Sequence, residues 1–287
     1  MKSRTKIWLG VGAFVVAGTG GAPHSAIGAP AAAFDRPGTM QDLKRGASIP
    51  YLPAGSFRLA EANDGGEGGE AGIDVAAAEK DPVEYGVALQ VIAAHYHAGL
   101  AAYEAGDKEA GTQMFAHGLA EVYAGMEDLF RKRGVTTLGQ KMNDAVDAAA
   151  KNLPVAQVRQ RVLAVLSAVA AAEKTAPRFA MPALAIKAKV VANLLDRAAK
   201  QYGVALKDKE LEPYLDGLGF SLAARTEAPK VLPALRRADK TKAAAFTAAL
   251  ALAKEAYPGI HRPDTKVAAD KFLAAAEAAV AAVANWK

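Results

Sequence analysis

The chain contains no cysteine. That excludes a disulfide framework, thiolate zinc sites, iron–sulfur clusters and covalently attached c-type haem. Aromatic residues make up only 7% of the 287 positions, and runs of Val, Ile, Thr and Tyr alternating with polar residues are missing, so the pattern announces no β-sheet. Also missing are a Gly-x-Ser-x-Gly elbow, a His-Glu-x-x-His helix, a phosphate-binding loop and a dinucleotide fingerprint. A hydrolase built on the histidines would lack a nucleophile, and no enzymatic activity is expected. Past the N-terminus, the only long uncharged apolar stretches are alanine-heavy, too weakly hydrophobic to span a bilayer.

An excess of one charge is missing as well. The formal net charge of +5 falls to +2 once residues 1–33, with three bases and no acid, are set aside. The distribution is uneven, with −12 over residues 61–128 and +12 over residues 129–287. A nucleic-acid binder needs its bases on one face, with aromatics for stacking. Here the lysines are scattered through alanine-rich segments, and no nucleic-acid partner is expected. One reading is that two halves of opposite sign attract each other; the functional alternative is that the acidic one collects cations.

What is abundant is alanine, within a composition that is 52% apolar. Alanine is the best helix former, so the expected fold is all-α: a helical bundle with an N-terminal antiparallel helical hairpin behind a disordered leader. Lys2, Arg4 and Lys6 precede an apolar run from Ile7 to Ala17, and Ala26-Ile27-Gly28 offers a small-x-small cleavage site. Residues 1–28 therefore read as a signal peptide and the protein as periplasmic. Residues 29–80, with four early prolines and Asp64-Gly65-Gly66-Glu67-Gly68-Gly69-Glu70, read as a flexible acidic and glycine-rich leader.

Residues 81–152 form the expected histidine-bearing hairpin region, and 153–287 an alanine-rich basic bundle. Asp81 is an N-cap candidate with Pro82 at the first helical position, and Gly106 closes this helix. A second helix is expected from Asp107 to Arg133, ending at Gly134. Later helices are expected over 137–152, 154–174 and 182–202. A shorter element over 209–226 is broken by Pro213, Gly217 and Gly219, and alanine-rich helices follow over 230–257 and 264–285.

The hairpin carries the chemistry. In an antiparallel pair turning near residue 106, facing residues have numbers summing to about 212, as do those of His95 and His117. They should meet about 16 Å from the turn, at a rise of about 1.5 Å per residue. Glu121 follows His117 by one turn and Met114 precedes it by three residues. Two histidines with a carboxylate make an iron or zinc set, whereas Met114 in place of Glu121 would favour copper(I). Tyr123 is expected behind the ligands, supporting them. His97 lies about 200° around the helix from His95 and is the weaker candidate. Glu84, Glu127 and Asp128 gather at the open end of the hairpin, where a solvated acidic rim competes with a second site for a hard cation. His261 sits in a loop and offers a distant ligand. Non-covalent b-type haem with His95 or His117 and Met114 as axial ligands is the cofactor alternative, and a metal-free interaction scaffold is the third reading.

The segment Ala94-His95, Gly99, Tyr103, Gly106 and His117-x-x-x-Glu121-x-Tyr123 resembles a group of uncharacterised exported alphaproteobacterial helical proteins. These have a Gly-His-Leu helix, a His-Pro-x-x-Glu-x-Tyr helix and a Gly-Glu-Gly-Gly-Glu leader, the last matched by Gly68-Gly69-Glu70 and its neighbours. Ala94 replaces the glycine and Gly118 the proline. Tyr214-x-Asp216-x-x-Gly219-Phe220 is similar to a segment of helical extracytoplasmic domains associated with iron permeases. The exported, His/Glu-bearing helical character also resembles imelysin-like iron-uptake proteins, whose histidine-x-x-glutamate spacing differs from the spacing here. These resemblances imply that His95, His117, Glu121 and Tyr123 matter. They assign no activity; the expected role in iron or copper homeostasis, with a membrane transporter as partner, rests on the hairpin's ligand set.

Overall fold

Asp81 and Pro82 open the helix around which the others pack. The computed structural model describes residues 72–208, 210–264 and 267–286. All of them fall within one compact unit, Ala62–Lys287. The expected signal peptide, and the leader up to residue 71, lie outside the described residues.

Helix α1 spans Val75–Lys80 and α2 Pro82–Glu104. Helix α3 spans Lys108–His117, a π-helical turn follows over Gly118–Tyr123, and α4 spans Ala124–Lys132. Then come α5 (Leu138–Ala150), α6 (Val155–Ala172) with a 3₁₀ turn over Glu173–Thr175, and α7 (Ala183–Asp208). The chain ends with α8 (Leu211–Ala238), α9 (Lys240–Ala256) and α10 (Ala269–Ala284). No strand occurs among the described residues, so the all-α bundle is the observed fold.

Helix α2 is apolar on every side and packs against α3, α6, α7 and α8, as a helix without a polar face must. The Asp81 carboxylate accepts from the Val83 amide at 2.7 Å. Asp107 caps α3 in the same way, accepting from the Ala110 amide at 3.0 Å. Between the two helices Gly106 takes a φ of 98°, a region that a Cβ disfavours. The hairpin closes tightly: a Cβ on Gly99 would lie 2.8 Å from the Gly111 carbonyl oxygen. Among the described residues, Tyr85, Tyr96, Tyr103, Tyr202, Tyr214 and Tyr257 are all fully buried in the core. Buried hydroxyls need partners. Tyr96 donates to the Met142 carbonyl, Tyr103 to that of Leu153, and Tyr257 to that of Ala198.

Several expected boundaries are corrected. The last part of the leader is helical: Asp74 caps α1, Ala78 is fully buried, and Arg133 donates to the Glu79 carbonyl at 2.6 Å. The helix expected from Asp107 to Arg133 is interrupted by the π turn. Helix α7 runs through Gly203 to Asp208. The largest difference is α8, which continues through all of the residues expected to break it. Pro213 lies in its first turn, where a missing N–H leaves no bond unmade. Gly219 is needed because a Cβ there would lie 2.5 Å from the Ala94 carbonyl oxygen, and Gly217 makes room for the Tyr257 hydroxyl. Pro229 and Pro233 both lie on the solvent side, where water can serve the carbonyls they leave without an amide. The helix stops at Asp239, whose carboxylate caps α9 by accepting from the Thr241 and Lys242 amides.

Candidate metal centre

The register expected for the hairpin is the register found. A Cβ on Gly118 would lie 3.1 Å from His95 Cβ and 3.3 Å from Tyr96 Cε2. The backbone immediately after His117 therefore rests on His95. Both histidines are removed from solvent, His95 with 2% and His117 with 8% of its surface exposed.

Their ring nitrogens have different surroundings. His95 Nδ1 lies 2.8 Å from the Val91 carbonyl oxygen, one turn earlier in α2. A carbonyl only accepts, so Nδ1 carries a proton, and in the neutral ring the lone pair is then on Nε2. This is the arrangement found for metal-ligating histidines, whose second nitrogen donates to a backbone carbonyl or carboxylate. His117 Nδ1 lies 3.7 Å from Glu121 Oε1 and also 3.7 Å from Glu212 Oε1. The side chains of Glu121 and Glu212 are 36% and 33% exposed, so the buried His117 imidazole has two part-exposed carboxylates beside it.

Three features of the fold bring these groups together. His117 ends α3, and the π turn begins at the next residue and carries Glu121. Such turns commonly occur at functional sites. Glu212 comes from the first turn of α8. One turn further along α8, Asp216 is buried with 4% exposure, and its charge helps hold the Tyr257 hydroxyl well above the usual tyrosine range, after the larger effect of burial.

The other expected residues differ in their surroundings. Met114 is fully buried in the apolar core. The ring of Tyr123 stacks on Phe130 with centroids 5.8 Å apart, and its hydroxyl packs against Gly139 of α5. Burial, then Glu127, pushes the Tyr123 hydroxyl up, while a backbone hydrogen bond at Gly139 pulls it down. His97 has Glu227 of α8 in its surroundings. Burial pushes its imidazole below the usual histidine value, with Glu227 opposing. Glu84 feels burial first, then Asp81, both raising its carboxyl, whereas Asp128 pairs with Arg131 at 2.6 Å on an exposed face of α4. His261 is exposed between α9 and α10.

Among the described residues no three His, Asp or Glu side chains are already drawn into a metal-holding group. The separations around His117 nevertheless compare with the spacing such a group needs. Ligands about 2.1 Å from a tetrahedral ion stand about 3.4 Å from one another, against 3.7 Å from His117 Nδ1 to each glutamate oxygen.

Sequence reasoning does not reach Glu212, and it reaches Asp216 only through the Tyr214-x-Asp216-x-x-Gly219-Phe220 resemblance. Nothing local in the sequence marks Glu212, because its relation to His117 depends on how α8 packs. Compared with protein-family models, with curated proteins and with solved structures, the chain matches none.

Proposed function

We propose that this is an exported, periplasmic transition-metal-binding protein, iron ahead of copper, acting in metal uptake or homeostasis and passing its ion to or from a membrane transporter. His95, His117 and Glu121 are its core ligands. The observation that carries the reading is the contact of His95 with Gly118. It supports the reading by bringing the backbone next to His117 onto the Cβ of His95; both histidines are buried, and His117 lies beside carboxylates. Imidazole and carboxylate together suit iron and zinc. Met114 is an optional fourth donor, and its thioether is the one feature that favours copper. The basic N-terminus followed by a short apolar run supports export.

The test is elemental analysis and an absorption spectrum of untagged protein purified from the periplasm, compared with a His95→Ala, His117→Ala double variant. Stoichiometric iron in the parent and none in the variant is the expected result. Equal metal in both sinks the assignment. A Soret band in the parent moves the case to haem, with Met114 central, and a parent that neither carries nor takes up metal leaves the interaction scaffold.

A further inference from the structure

We infer that Glu212 is a ligand of this same site, and that ion binding there clamps the first turn of α8 to the α2–α3 hairpin. The inference rests on reading the site as a metal centre and adds a residue, a selectivity and a mechanical consequence.

Glu212 Oε1 and Glu121 Oε1 stand at the same 3.7 Å from His117 Nδ1, although the two residues belong to different helices far apart in the chain. An acidic residue in the first turn of a helix also suits the helix dipole. The dipole needs only that the carboxylate be near the helix end, however, and does not require it to approach an imidazole of another helix. Both carboxylates remain part-exposed while the imidazole behind them is buried, so an ion arriving from solvent meets the carboxylates first.

The donor set then decides the class of ion. Two carboxylates balance a dication, whereas a monovalent copper ion would leave net negative charge in a site with hard donors. Fe²⁺, Mn²⁺ and Zn²⁺ fit, and Cu⁺ does not. The hairpin and α8 are already in close contact further along, where Gly219 meets the Ala94 carbonyl. Glu212 lies beyond that contact, near the helix end. An ion held by His117, Glu121 and Glu212 ties down this end, so binding should slow its local opening.

The test uses the full chain with Zn²⁺ as the probe, Cu⁺ as the comparison ion, and Glu212→Gln as the variant. That change keeps the shape of a part-exposed side chain. The parent is expected to bind one Zn²⁺ more tightly than Cu⁺, and Glu212→Gln to bind it at least about tenfold more weakly. Hydrogen exchange of the amides of residues 211, 212 and 214–216 should slow on adding Zn²⁺ to the parent and remain unchanged in the variant. If the variant binds Zn²⁺ as tightly as the parent, Glu212 is not a ligand and the inference falls, while the reading based on His95, His117 and Glu121 stands. Tighter Cu⁺ than Zn²⁺ binding overturns the selectivity. A parent that takes up neither ion overturns both readings.

Discussion

His95 donates its Nδ1 proton to the carbonyl of Val91, 2.8 Å away and one turn earlier in α2. The bond fixes both the tautomer and the plane of a buried ring, and so determines which nitrogen carries the lone pair. In ¹⁵N-resolved NMR of the metal-free protein at pH 7, the His95 Nδ1 signal should be that of a protonated nitrogen and the Nε2 signal that of an unprotonated one. Adding Zn²⁺ should move Nε2 and leave Nδ1 protonated. A proton found on Nε2 would remove His95 from the ligand set.

Gly118 follows His117 and lies against His95. A methyl group at this position would meet His95 Cβ at 3.1 Å and Tyr96 Cε2 at 3.3 Å, whereas one at Gly125 would meet nothing within 4 Å. Gly118→Ala is therefore expected to destabilise the protein by roughly 1–3 kcal/mol through overpacking and to weaken metal uptake by displacing His95. Gly125→Ala, at an exposed position in α4, is expected to stabilise it by about 0.5–1 kcal/mol. Urea unfolding of the two variants beside the parent checks both signs.

Pro229 and Pro233 lie inside α8 with their rings toward solvent. Each removes a helical hydrogen bond without a packing return. Pro233→Ala should restore an amide donor to the helix and raise stability by about 1–3 kcal/mol. An unchanged or lowered unfolding temperature would mean that a bend at this point is needed for the contact between α8 and its neighbours.

His97 predicts a pH dependence. Burial holds its imidazole below the usual histidine value, with Glu227 opposing. The folded protein then binds fewer protons at this position than the unfolded chain, so stability is lost as pH falls through the ordinary histidine range near about 6.5. One such group contributes a slope of at most about 1.4 kcal/mol per pH unit. Replacing His97 by Gln should flatten the difference in unfolding free energy between pH 7.5 and pH 5.5. An unaltered difference would assign the dependence to other groups.

Much of the hairpin is legible in the amino-acid sequence. Asp81, Pro82, Gly106 and Asp107 act locally, through capping and permitted backbone angles, and they define the two helices and the turn. Once the turn is placed, helical geometry alone pairs position 95 with position 117, and the packing of Gly118 on His95 agrees. The α8 segment is not legible in the same way. Prolines and glycines normally interrupt helices, but here Gly219 and Gly217 are required by the Ala94 carbonyl and the Tyr257 hydroxyl. Those partners are more than 30 residues away in sequence, so no local rule reports them.

The amino-acid sequence by itself determined the helical class, the caps and the approach of the two hairpin helices, because each follows from interactions within one or two turns or across one short loop. Only the tertiary structure decided that the helix after His117 passes through a π turn, that α8 is unbroken, and that Glu212 joins Glu121 beside His117. These depend on where one buried helix surface meets another. That is settled by close packing over long sequence separations, which a pattern read along the chain does not contain.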